Sequence, residues 1–111
     1  MSAPMVIRIN PYHAAEMLRQ ALERHGVVAD VHHGYGLALV SVWVGVVVWC
    51  DGQRFWWRTG WNVERRRVIY AWHPAIEPVR AAHRISMHYS DLRRRQSYSL
   101  MIAAFVDEAD E

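Results

Sequence analysis

Lysine is absent from this 111-residue chain; all thirteen basic residues are arginines, so every side-chain cation other than a protonated histidine is a planar guanidinium. A dense lysine-rich surface for phosphates is thereby excluded. Together with the load of alanine and valine, the all-arginine usage points to a high-GC genome. Cysteine occurs once, as Cys50, so no internal disulfide supports the fold and a reducing compartment is expected. The longest apolar run, Leu37 to Cys50, has fourteen residues, short of the ~20 a membrane-spanning helix needs. Its β-branched content favours a buried strand. The N-terminus lacks the basic region and long apolar core of a signal peptide, which predicts a cytoplasmic protein without a membrane span. Also missing are Cys-x-x-Cys, His-Glu-x-x-His, His-x-His and a glycine-rich phosphate loop in a strand-loop-helix context.

What remains is ample for a core: hydrophobic residues make up 52% of the chain and charged residues 22%. The net charge of +2 conceals an asymmetry. Asp107, Glu108, Asp110 and Glu111 form an acidic tail, and residues 1–106 set thirteen arginines against seven acids. With no internal repeat, linker or low-complexity tract, residues 1–111 are expected to form one domain, with its core over 10–96 and the acidic tail over 107–111.

The order predicted is helix, sheet, helix. Met5 to Ile9 suits an edge strand. Asn10 suits an N-cap and Pro11 the first helical position, and Ala14, Ala15, Leu18, Ala21 and Leu22 form one stripe until Gly26 stops the helix. Val27 to His33 reads as a strand and Gly34-Tyr35-Gly36 as a turn. Leu37 to Cys50 follows, with Gly45 marking either a bulge or a split into two strands. Glu64-Arg65-Arg66 looks like a solvated turn and Arg67 to His73 a further strand. A second helix is expected from Glu77-Pro78 to about Arg95, with Ala81, Ala82, Ile85, Tyr89 and Leu92 on its apolar side and Arg80, Arg84, His88 and Arg95 opposite. A separate short helix is expected from Ser99 to about Glu108. The fold class is α+β: an antiparallel sheet of four to five strands flanked by an N-terminal and a C-terminal helix, with both helices on one face.

Asp51-Gly52 between apolar β-formers predicts a two-residue type I′ hairpin, with Cys50 opposite Gln53, Trp49 opposite Arg54, Val47 opposite Trp56 and Gly45 opposite Arg58. Alternation then gives one face of even-numbered residues from Ala38 to Cys50, joined by Phe55 and Trp57, which is the core side. The other face carries Leu37, Leu39, Ser41, Trp43, Gly45, Val47 and Trp49 with Arg54, Trp56 and Arg58. Guanidinium groups are costly to bury unpaired, so this face is expected to meet solvent or a partner. Tyr35, Trp43, Trp49, Arg54, Trp56 and Arg58 are the candidate binding residues, because Trp, Tyr and Arg dominate interface hot spots and arginine over indole gains ~0.5–2 kcal/mol. Coverage of the rings by arginine stems, or by the C-terminal segment, is an equally weighted alternative.

His32, His33, His73, His83 and His88, with Cys50 and Asp51, contain zinc-ligand chemistry, but adjacent strand residues such as His32 and His33 point to opposite faces. Structural or surface roles are expected. Cys50 in an apolar strand is expected to be a small buried hydrophobe, and neither Ser41 nor Thr59 has an identifiable base. No catalytic residue, cofactor or metal is assigned. Arg65-Arg66-Arg67 and Arg93-Arg94-Arg95 suit phosphates, so nucleic acid is the runner-up partner, through an architecture resembling double-stranded-RNA-binding domains or through base stacking on Trp49 and Trp56. Solvated turn and helix-end charges are the preferred reading of both triplets.

The segments GYGLALVSVW, WCDGQRFWWRTGW and VIYAWHP resemble those of a group of small actinobacterial proteins, over roughly Leu18 to Arg95. That resemblance implies a compact domain and brings no catalytic residue or cofactor with it. The helix-sheet-helix order is also similar to that of secretion-chaperone-like adaptors, which implies peptide binding and dimerisation. The expectation is a non-enzymatic binding or regulatory module whose Trp/Arg face meets a protein or peptide partner or forms a homodimer.

Overall fold

The structure, a computed structural model, describes residues 8–42 and 45–109, the side chains at 97–99 and 105–109 excepted. Helix α1 (Pro11–Glu23) starts where Asn10 Oδ1 accepts hydrogen bonds from the Tyr12 and His13 amides at 2.9 and 3.2 Å, with proline in the first turn. This cap satisfies amides that the helix cannot pair internally. The predicted stripe Ala14, Ala15, Leu18, Ala21 and Leu22 is buried, and the helix gives way at Gly26, with the Val27 amide donating to the Leu22 carbonyl at 3.0 Å.

Five strands follow: β1 (Ala29–Gly34), β2 (Leu37–Val42), β3 (Val46–Cys50), β4 (Arg54–Asn62) and β5 (Arg67–Pro74). They form an antiparallel meander in the order β1-β2-β3-β4-β5. Leu37 to Cys50 is thus two strands, which reverse around Gly45 so that Val42 faces Val46. Trp43 and Val44, at that reversal, lie outside the described residues. Of the predicted edge strand, residues 5–7 lie outside them too. Ile9 is not in a strand, although its amide donates to the Gly52 carbonyl at 2.8 Å.

The tight hairpin sits at Tyr35-Gly36, not at Asp51-Gly52. Gly34 pairs with Leu37, and both turn residues have positive φ, 55° and 75°, as a type I′ turn requires. At β3–β4 the register is displaced by two residues from the predicted one: Cys50 faces Phe55, Trp49 faces Trp56 and Val48 faces Trp57. The cause is the Asp51 carboxylate, whose Oδ1 accepts from the Gln53 amide at 2.8 Å and the Arg54 amide at 2.9 Å, drawing Gln53 out of the ladder into the loop. The Gln53 carbonyl is then free to accept from the Ala75 amide at 3.0 Å. Burial works to raise the Asp51 pKa, but the Arg54 and Gln53 amides outweigh it and hold the carboxyl below its usual range.

A displacement of two keeps every side chain on its predicted face. Ala38, Val40, Val42, Val46, Val48, Cys50, Phe55 and Trp57 are all buried on the side that α1 and helix α2 (Pro78–Ala109) cover. From α2 the core receives Ala81, Ala82 and Ile85, with Tyr89 and Leu92 partly buried against it. The short alanine side chains of both helices let them lie close to each other and to the sheet. The predicted separate helix from Ser99 is instead the continuation of α2, one helix of 32 residues. No helix formed by the described residues is long and apolar enough to cross a membrane.

Gly52 has φ +90°, and a Cβ there would collide with the Ile9 carbonyl oxygen, whereas a Cβ on Gly36 would meet open space. Gly36→Ala is therefore expected to cost about 1 kcal/mol, for backbone conformation alone. Gly52→Ala is expected to cost about 3 kcal/mol, because the Ile9 contact must also yield. Urea midpoints at constant slope check both, and equal losses would refute the close approach.

Candidate functional site

Alternation and register together build one cross-strand row on the uncovered sheet face: His32 faces Leu39, Leu39 faces Trp49, Trp49 faces Trp56 and Trp56 faces Trp72. Three adjacent strands therefore place three indoles side by side, spanning about 10 Å at ordinary strand spacing. The corresponding row on the other face, Val31, Val40, Val48, Trp57 and Ala71, is the centre of the core. Trp49 is 37% exposed and Trp72 53%, while Trp56 between them is half-buried.

Two further aromatics join the row. Tyr70 faces Arg58 across β4–β5, and Trp61 faces Val68 after a register shift between Arg58 and Gly60. That bulge inserts Thr59 as an extra residue, so odd-numbered Trp61 shares a face with even-numbered Arg58 and Trp56. Trp61 and Tyr70 are 50% and 57% exposed. Without the bulge, Trp61 would lie on the side of Trp57.

The guanidinium of Arg54 lies 4.8 Å from the Trp72 ring centroid, and not over Trp49 as the predicted register implied. Arg54 faces Pro74 across the strands, and a depression of about 230 Å³ lies among Gln53, Arg54, Trp72, Pro74 and Ile76. At the other end of the row, His32, Tyr35, Leu37, Leu39 and Trp49 line a more apolar depression of about 360 Å³. Tyr35, projecting from its turn, thus belongs with Trp49. Arg54 and Arg58 are exposed and have no ion-pair partner among the described residues. The described part of α2 packs on the opposite face and does not cover the row.

Of the six predicted residues, Trp49, Trp56 and Arg54 converge at the row, Tyr35 borders it, Arg58 stands beside Tyr70, and Trp43 lies outside the described residues. Trp72, Tyr70 and Trp61 were missed. Alternation within VIYAWHP aligns Tyr70 with Trp72, and that signal was available; the facing of Trp72 and Trp56 required the register.

The remaining titratable groups are dispersed. His32 is on the open face, the His33 ring meets that of Tyr12 at a tilt of 57° with centroids 4.6 Å apart, and the His83 and His25 ring centroids are 5.8 Å apart. Among the described residues no three His, Cys, Asp or Glu side chains gather as a metal site. Cys50 is buried, and burial pushes its thiol pKa up, against the Gly52 amide that its sulfur accepts at 3.4 Å. A buried thiol held protonated is a poor nucleophile.

His73 ties the row to the helix layer. Arg84 Nη1 lies 2.7 Å from the Trp72 carbonyl, to which it donates, and 3.1 Å from His73 Nδ1; the same guanidinium stands 5.1 Å from the ring centroid of buried Trp57. Because a guanidinium only donates, Nδ1 must accept, which places the proton of neutral His73 on Nε2. Nε2 lies 3.5 Å from Glu77 Oε1, within ion-pair reach but without a hydrogen-bond partner, so that contact is electrostatic only. Burial first, then the Arg84 charge, hold the His73 pKa below the ordinary imidazole value.

No protein-family model matches this chain, and no curated protein or solved structure is similar to it.

The depressed His73 pKa fixes a sign. Its contribution to stability is complete above the unfolded value of about 6.5 and is lost as pH falls through the folded value. The melting temperature of the wild type is expected to fall more steeply below pH 6.5 than that of His73→Gln, whose amide oxygen accepts from Arg84 without titrating. Parallel curves would refute the linkage.

Proposed function

We propose that the chain is a non-enzymatic binding module that seats a protein or peptide partner on the row Trp49-Trp56-Trp72. The supporting observation is the alignment of three indoles on a sheet face that no described helix covers, with Arg54 held over one end. Large amphipathic rings with few rotors bind at low entropic cost, and a guanidinium lying over indole is preoriented for a carboxylate or carbonyl. A partner with apolar side chains flanked by acidic groups fits best: the indoles take the former, and Arg54 and Arg58 the latter. The dispersed histidines and the buried thiol support binding over catalysis.

A protein partner is favoured over nucleic acid by the state of the arginine clusters. Arg94 and Arg95 pair with Asp91 at 3.7 and 3.0 Å, and Arg65 to Arg67 are exposed around the β4–β5 turn, away from the middle of the row. Phosphate tracking needs a continuous basic path instead.

The test is capture from the native host, with nuclease present, on wild-type, Arg54→Ala/Trp56→Ala and Arg24→Ala baits. The partner is expected on the wild type and on Arg24→Ala, whose change lies on the helix side, and to be lost on the double variant. The melting temperature of the double variant should stay within a few degrees, a change of about 1 kcal/mol, since both side chains face outward. Equal capture by all three baits, or recovery that vanishes with nuclease, would refute the reading.

A further inference from the structure

Helix α2 outlasts the body it packs on. Its last partly buried contact with the core is Leu92, and the backbone continues helically to Ala109, an arm of about 25 Å. The radius of gyration, 17.4 Å, exceeds the ~13 Å of a compact chain of this length accordingly. On the arm, Leu100, Met101 and Ile102 are 65%, 65% and 49% exposed, and Ala103 and Ala104 are exposed as well. Consecutive helical residues point about 100° apart, so these three cover more than half the circumference. A helix that is apolar nearly all round is ordinarily buried, and an isolated arm of this length is marginal in water.

The order of charges along the arm names the occupant. Arg94 and Arg95 lie at its base, 81% and 74% exposed in their side chains; the apolar stretch fills its middle; Asp107 and Glu108 occupy helical positions near its end. Basic, apolar, acidic is a sequence complementary to itself when reversed. We propose that this arm is a homodimer contact: two copies cross antiparallel, centred between Met101 and Ile102. In that register Arg95 of one copy is level with Glu108 of the other, Gln96 with Asp107, and the apolar middles coincide about a two-fold axis. A parallel pair would set like charges together at both ends. Asp91, which holds Arg94 and Arg95 within the chain, sits one turn nearer the body, so both guanidiniums can swing to the second copy by rotamer change. The contact is separate from the tryptophan row and leaves it open in both copies.

Sedimentation equilibrium tests this with wild type and two charge-reversed variants, Arg94→Glu/Arg95→Glu and Asp107→Arg/Glu108→Arg. Wild type is expected to dimerise with increasing concentration, and more weakly as salt rises. Each variant alone is expected to associate at least about tenfold more weakly, because its arm carries one sign of charge at both ends. Mixed in equal amounts, the two variants should form a heterodimer, since an acidic arm then meets a basic one. Near-UV circular dichroism matching the wild type, with Trp57 buried in the core as its reporter, establishes that the body of each variant is folded. A monomeric wild type at about 100 µM would overturn the proposal, leaving the arm to a different protein. Undiminished dimerisation of either variant, or an equal mixture that stays monomeric, would overturn it also.

Discussion

The Asp51 carboxylate decides where the second half of the sheet lies against the first. By accepting the Gln53 and Arg54 amides it widens the β3–β4 connection and displaces the ladder by two residues. The widened loop then meets two other parts of the chain, the Ile9 amide on the Gly52 carbonyl and the Ala75 amide on the Gln53 carbonyl. Two distant segments thus converge on a single turn. Trp49 stands across from Trp56 only in this register; in the narrower hairpin it would face Arg54, and the indoles would be staggered.

The two sheet faces are connected through Arg84. Its guanidinium reaches the backbone of Trp72, the ring of Trp57 and the imidazole of His73, so one helix side chain touches an exposed-face residue, a core residue and a titratable group. A sequence pattern that assigns Arg84 to the polar side of α2 is right about its exposure and silent about this reach. Long arginine stems commonly cross an interface in this way.

Much of the fold was legible in the residues. Asn10-Pro11 and the alanine–leucine stripe define α1, and period-two alternation separates core from open face correctly. Face is a matter of parity, so it survives an even slip of register, whereas cross-strand partners do not. The register failed because Asp-Gly was weighed by backbone preference alone, without the hydrogen bonds that the aspartate side chain makes. The unbroken α2 was missed because Arg93 to Gln96 reads as a polar interruption. The contrary signal is the absence of glycine and proline after Pro78, since nothing there stops a helix.

Thr59 shows how strand length, independently of composition, distributes side chains between the layers. The surplus residue shifts the phase of β4 by one, and everything after it changes sides. Were Thr59 instead to take a regular place in the ladder opposite Ile69, the pleat would run unbroken and Trp61 would turn beneath the sheet to the side of Trp57, while Gly60, which projects nothing, would take its outward place. The breadth of the aromatic platform is in that sense set by phase: one residue held out of the ladder divides a surface of five exposed or half-exposed rings from one of four.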